Sequence, residues 1–203
     1  MSQGEYLKII KDIEKTIIGL ATKNGWLWFY QMHQKEVLRY ADKLLKLYPK
    51  ANKRIVVISC WLHDFSYYQA KNKVGFDNRR KIHHIESAES ASSILSKYQL
   101  TKEEIEQIKG CILAHRNSPP YLSRTIEEKI VAVSDTLSHF GSVFYFTYFK
   151  FYPDKSIDEM VKDDLEKLAR DKRDFKLLPG SEELVKEEYK IIERLLINYQ
   201  KII

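Results

Sequence analysis

Apolar residues recur along this chain three and four positions apart over nearly its whole length, the spacing of an amphipathic helix. Residues 4–23 set Tyr6, Ile9, Ile10, Ile13, Ile17 and Leu20 on one face. Residues 28–48 turn His33, Val37, Ala41, Leu44 and Leu45 inward, and Pro49 follows their end. The run IVVISCWLHDF within 52–65 is β-branched, yet its length and Asn52 as a cap favour a buried helix. Residues 66–81, SYYQAKNKVGFDNRRK, carry no period and contain Gly75, which predicts a long loop. A helix follows at 82–98. Thr101 and Glu104, three apart, form a capping box for the next, which runs to His115. Asn117-Ser118-Pro119-Pro120 ends that helix, and another covers 125–140 with Gly141 as its stop. The aromatic stretch VFYFTYFKFY (143–152) comes next. Asp154 then caps a helix at 156–172, and Pro179-Gly180 separates it from a last helix at 181–201. The expectation is an all-α bundle forming one domain over 1–203, with a core at about 28–140 and a helical extension over 141–203.

Composition agrees. Seven Gly and five Pro in 203 residues suit long helices rather than many tight turns. No apolar run approaches the roughly 20 residues needed to span a bilayer. The start, MSQGEYLKIIKDIEK, mixes charges into its apolar positions, unlike a secretory signal. Cys60 and Cys111 both sit in apolar helical stretches, as buried thiols do, and make no disulfide framework. The expected location is cytoplasmic, with no membrane partner. The formal net charge of +6 suits a small anionic ligand, but it is spread along the chain and does not outline a nucleic-acid surface.

The candidate chemistry lies in His33, His63-Asp64, His84, His115 and Asp135, each on a segment that reads as helix. Imidazole nitrogen and carboxylate oxygen are ligands of divalent transition metals, and two neighbouring ions would use about this many side chains. His33 shares a face with Val37 and Ala41. His63 ends the most apolar helix, with Asp64 about 100° round it. His84 is in phase with Ser87, Ala88, Ala91 and Leu95, whereas His83 lies with Glu86 and Ser90, so phase favours His84. His115 continues the Ile105, Ile108, Ile112 stripe. Asp135 sits in IVAVSDTL, where an unpaired carboxylate would be costly. His139 is expected to be structural or exposed.

The order H…HD…H…H…D resembles that of the HD-domain metal-dependent phosphohydrolases, over about residues 28–140. The resemblance implies an HD-type helical bundle with a C-terminal extension. It implies one metal on His33, His63, Asp64 and Asp135, and in binuclear members a second on His84 and His115 with Asp64 bridging. The cofactor would be one or two divalent ions (Fe, Mn, Zn, Mg, Ni or Co), which lower the pKa of water and polarise phosphoryl oxygens. Asp64, His84 and His115 would then be catalytic. The segment 114–140 is similar to the "histidine, short loop, helix with aspartate" unit of members that cleave dinucleoside polyphosphates and nucleotides. It departs from the usual pattern in reading Val-Ser-Asp-Thr around Asp135. The chain lacks the Gly-Tyr-Pro element of cyclic-di-GMP phosphodiesterases.

Arg79, Arg80 and Lys81, just before the His84 helix, and Arg116 after His115 are candidate phosphate clamps, since guanidinium pairs with phosphate oxygens bidentately. Tyr67 and Tyr68 can stack on a base or pack on the bundle. The sequence carries no P-loop, nucleophile elbow or zinc-spaced Cys cluster. The expected activity is therefore hydrolysis of a phosphate ester or anhydride in a small nucleotide-like substrate, with nucleic acid not an expected partner and the oligomeric state open. Two rival readings stand beside it: a di-iron oxygenase on the same fold, since myo-inositol oxygenases share the ligand order, and a non-catalytic interaction module.

Overall fold

The computed structural model describes residues 2–71 and 76–201, without the side chains of 76–79, 148 and 149. The described residues form helices and no strand: α1 (Gln3–Asn24), α2 (Leu27–Phe29), α3 (Lys35–Leu47), α4 (Lys53–Leu62), α5 (Phe65–Gln69), α6 (Phe76–Leu95), α7 (Lys102–Ala114), α8 (Ile126–Ser138), α9 (Ile157–Asp174) and α10 (Lys186–Gln200). The all-α expectation is borne out. No described helix is long and apolar enough to cross a membrane.

Helix starts follow from side-chain oxygens that satisfy the unpaired N–H groups of the first turn. Asn52 accepts from the N–H of Arg54 and Ile55. Thr101 and Glu104 make the expected capping box on α7. Thr125 with Glu128 and Ser156 with Glu159 make two more, so Ser156 rather than Asp154 caps α9. Phase alone did not reveal these two, although both have the Ser/Thr-x-x-Glu spacing.

Helix α4 is apolar all round because it is the hub. It packs against α1, α3, α7 and α8, and Ile55, Val56, Ile58, Cys60 and Leu62 are at most 1% exposed. Burying each such aliphatic side chain stabilises the fold by about 1.5–3 kcal/mol. Around it, α3 packs on α8 and α6 on α7. The extension is not a loose tail: α9 packs on α8 and α10 on α9, with Leu168, Phe175 and Ile192 buried.

The expected loop at 66–81 is largely helical. Residues Phe65–Gln69 form α5, and α6 begins at Phe76; Gly75 lies outside the described residues. The missing period has a physical cause. α5 is a single turn buried on several sides, with Phe65, Ser66, Tyr67 and Tyr68 all inside, and one turn is too short to show a stripe. A second departure lies where it matters for chemistry. Tyr30–Gln34 form a π-helical turn between α2 and α3, and His33 sits within it. Such turns break the 3.6-residue register locally and often mark functional sites.

Candidate metal centre

Six side chains meet where α4, α6, α7, α8 and the π turn converge. His33 Nε2 lies 3.3 Å from Asp64 Oδ2 and 3.1 Å from Asp135 Oδ1. His63 Nε2 lies 3.4 Å from Asp64 Oδ2 and 3.6 Å from Asp135 Oδ1. On the other side of the same carboxylate, Asp64 Oδ1 faces His83 Nε2 at 3.4 Å and His115 Nε2 at 3.8 Å. His33, His63 and Asp64 form one group able to hold an ion, and Asp64, His83 and His115 form another. Asp64 therefore spans both, one oxygen to each, which is the arrangement a bridging carboxylate needs.

Hydrogen bonds on the far ring nitrogens fix what the near ones can do. His63 Nδ1 donates to the Cys60 carbonyl at 2.8 Å, His83 Nδ1 to Arg80 at 3.0 Å, and His115 Nδ1 to Ile112 at 2.6 Å. Each partner lies three residues back along the chain. A carbonyl oxygen can only accept, so in the neutral ring the proton is on Nδ1 and Nε2 is the lone pair left to ligate. His33 reaches the same state through Ser138. The Ser138 hydroxyl donates to the Asp135 carbonyl at 2.6 Å and so accepts from His33 Nδ1 at 2.9 Å. His63 and His115 are the C-caps of α4 and α7, where the last carbonyls lack helical partners and an imidazole can fold back onto them. Gln34 in the π turn also donates to the Cys60 carbonyl, at 2.8 Å, tying His33's segment to the end of α4.

The result is an arrangement that suits cations. His33 Nε2 and His63 Nε2 stand 3.2 Å apart, and His83 Nε2 and His115 Nε2 stand 3.0 Å apart. With Nδ1 protonated, each pair brings two lone pairs together, and a shared positive charge reconciles them. Asp64 Oδ1 is buried and accepts no hydrogen bond among the described residues. Burial opposes charging His33, but the hydrogen bonds its imidazolium donates to Asp135 and Asp64 overcome it and hold the ring up to about 9. His63 is raised in the same sense against burial, chiefly by Asp64. Burial raises the Asp64 and Asp135 carboxyls, yet the facing imidazoles win and hold both below the usual carboxylate range. His115, buried and beside His83 and His63, is depressed to about 3, and burial lowers His83 too. One pocket half thus attracts a proton or cation strongly, while the other stays neutral and ready to ligate. The donor set, nitrogen and carboxylate oxygen without thiolate, fits divalent transition ions.

The structure corrects the choice between adjacent histidines. Helical phase favours His84 over His83, but His83 is the ring in the cluster. His84 stands edge-on to Tyr121 with ring centroids 5.6 Å apart, and its Nδ1 is buried without a hydrogen bond among the described residues. Burial, with His83 and Arg116 nearby, lowers it to about 4. Helix α6 is buried on two faces. Ala88, Ala91 and Leu95 belong to the face that His84 shares. His83 shares its own side with Ser87, whose Oγ accepts from the Ser66 N–H at 3.1 Å, while the His83 carbonyl accepts from Ser66 Oγ at 3.2 Å. The polar seam toward α5, not the apolar stripe, delivers the ring that joins the cluster.

Among the candidate clamps, Arg116 donates to the Lys81 carbonyl at 3.1 Å, and Arg116 and Arg80 line the pocket above the histidines. The Lys81 side chain is exposed and is not part of that lining, and the Arg79 side chain lies outside the described residues. Tyr67 is buried and stacks on His83, with centroids 4.9 Å apart, so it holds the ring. Sequence reasoning missed His139. It is buried, parallel to His33 with centroids 5.7 Å apart, and its Nε2 lies 3.9 Å from Asp135 Oδ1. Its Nδ1 meets Asp171 at 3.1 Å, and Asp171 also accepts from Tyr145 at 2.8 Å and Lys167 at 3.2 Å. His33, Asp135 and His139 form a third ion-competent group. The available signal was the i, i+4 spacing of Asp135 and His139.

The sequence model of the HD domain matches residues 30–139, more than half of the chain, and the chain belongs to that family. HD domains bind divalent metals, and the His/Asp groups of this chain are compatible with that. No curated protein and no solved structure matches the chain.

Proposed function

We propose that this protein is a metal-dependent phosphohydrolase that cleaves a phosphate ester or anhydride in a small nucleotide-like substrate. The observation that carries this reading is the four imidazoles that turn Nε2 toward Asp64 and Asp135, beside a pocket lined by arginines. His33, His63, Asp64 and Asp135 would hold one ion, and His83, His115 and Asp64 a second. Divalent ions in such a site supply Lewis acidity toward phosphoryl oxygens and lower the pKa of water.

The chain's own groups then have distinct tasks. The Lys81 carbonyl uses one donor of the Arg116 guanidinium and leaves others for phosphate oxygens. Carbonyls of Cys60, Arg80 and Ile112 accept from Nδ1, so on each ring Nε2 is the atom turned toward Asp64 and open to a metal ion. Phe29, packed on His33 with centroids 4.8 Å apart, shields that ring from water.

The test is phosphate release from a panel of nucleoside mono-, di- and triphosphates by protein stripped with chelator and reloaded with single divalent ions. Reloading should restore activity, and Asp64→Ala should abolish it while the helical circular-dichroism spectrum is retained. Arg116→Ala should chiefly raise KM, since a clamp that holds substrate and transition state alike leaves kcat little changed. Metallated protein that released no phosphate while consuming oxygen with a polyol would overturn the reading in favour of an oxygenase.

A further inference from the structure

The pocket above the histidines carries more positive charge than its carboxylates balance. Arg80 and Arg116 come from the HD core; Lys167, Arg170 and Arg173 come from α9, beyond the matched region. On α9, residues 167, 170, 171 and 174 follow the spacing of one helical face. Four aspartates share the lining. Asp64 and Asp135 belong to the candidate metal centre. Asp171 is saturated by His139, Tyr145 and Lys167. Asp174 accepts from Asn117 at 3.0 Å, and its burial pushes the carboxyl up to about 6. None of the four makes an ion pair with Arg170 or Arg173 among the described residues. The two guanidiniums are exposed at the pocket. Arg80 and Arg170 both lie close enough to Arg116 to add to burial in making its charged form less favourable. Like charges gathered this closely from distant parts of the chain work against folding unless a ligand uses them.

A single phosphoryl group seated at the metal centre would be met by the ions held there and by Arg116. Arg170 and Arg173 are left to meet further negative charge on the same ligand. We propose that Arg170 and Arg173 complete, with Arg80 and Arg116, a site for a chain of two or more phosphoryl groups, so that the substrate is a phosphate anhydride rather than a monoester. This rests on the phosphohydrolase reading and narrows its substrate class. It also gives the extension a role in recognition: α9 packs on α8, the helix of Asp135, and so sets its arginines over the centre.

The test compares binding of orthophosphate and of imidodiphosphate, a non-hydrolysable two-phosphoryl anion, by calorimetry on metal-loaded protein with magnesium in excess of either ligand. The protein should bind imidodiphosphate roughly tenfold or more tightly than orthophosphate, the size of one or two charge-assisted contacts. The double variant Arg170→Gln/Arg173→Gln should lose most of that preference while its orthophosphate affinity and metal content stay as they were. Lys186→Gln/Lys190→Gln, which removes the same net charge from α10, should keep the preference. A preference that survives in the arginine variant, that is lost equally in the lysine variant, or that is missing in the parent protein overturns the proposal. Metal content, read by elemental analysis, and phosphate release judge the hydrolase reading separately, because the anion preference requires no turnover.

Discussion

Asp164 offers a stability test that does not pass through the metal centre. It sits on the inner face of α9, and its Oδ1 is buried without a hydrogen bond among the described residues. Burial, reinforced by Asp163 and Asp171 against the opposing charge of Lys167, pushes its carboxyl from 3.8 up to about 7. Well below pH 4 the group is protonated in both the folded and unfolded chains and contributes nothing, and at pH 4 the contribution is still small. As pH climbs to 7 the unfolded chain gives up the proton and the folded chain keeps it, so stability falls over that interval. Above it the loss is constant. At about 1.4 kcal/mol per tenfold change in proton affinity the ceiling is roughly 4 kcal/mol. Partial solvation and the Lys167 charge reduce this, and roughly 1–3 kcal/mol is the expected size. Asparagine mimics the protonated carboxyl. Asp164→Asn should therefore be more stable than the parent at pH 8 and nearly equal to it at pH 4, measured by urea unfolding of chelator-treated protein. Taking the difference between variant and parent cancels titration of the histidine cluster. A variant equally stable or less stable at pH 8 would refute the argument, since it would mean the carboxylate is solvated or paired.

The two adjacent histidines give a sharp comparison. His83→Ala should lower the bound-ion stoichiometry or weaken one ion at least tenfold by elemental analysis and titration, whereas His84→Ala should leave metal binding within about threefold; the reverse pattern would restore His84 as the ligand. Gly141→Ala should destabilise the fold by about 1–3 kcal/mol in chemical denaturation, because a Cβ there would meet the Tyr40 ring at 2.6 Å as well as the Glu36 and Arg39 side chains, and Tyr40 is buried.

What the sequence discloses, and what it hides, divides along a physical line. Helical period reports which face of a segment leaves water, so the large helices, the burial of His33, His63 and His115, and the capped start of α7 were all legible. Period says less where a segment is buried on more than one side. That condition holds for α5, whose single turn read as loop, and for α6, whose two inner faces made His84 look better than His83. Ligands add a second difficulty. A metal site has to be polar inside an apolar interior, so its residues lie at seams where the apolar stripe gives way to serines and helix ends. His63, His115 and His139 all occupy C-caps. His33 lies in a π turn and His83 beside Ser87. A reading that ranks inward residues by the apolarity of their face therefore ranks such ligands too low. Asking instead which histidines can return Nδ1–H to a carbonyl three residues back singles out His63, His83 and His115 among the described residues. The contribution of α9 was hidden for a different reason. Arg170 and Arg173 lie more than 50 residues beyond Arg116, and isolated arginines on an exposed helix look the same whether they face solvent or a ligand. Only the packing of α9 on α8 brings them to the pocket, and that packing is a tertiary fact which no local pattern of the sequence records.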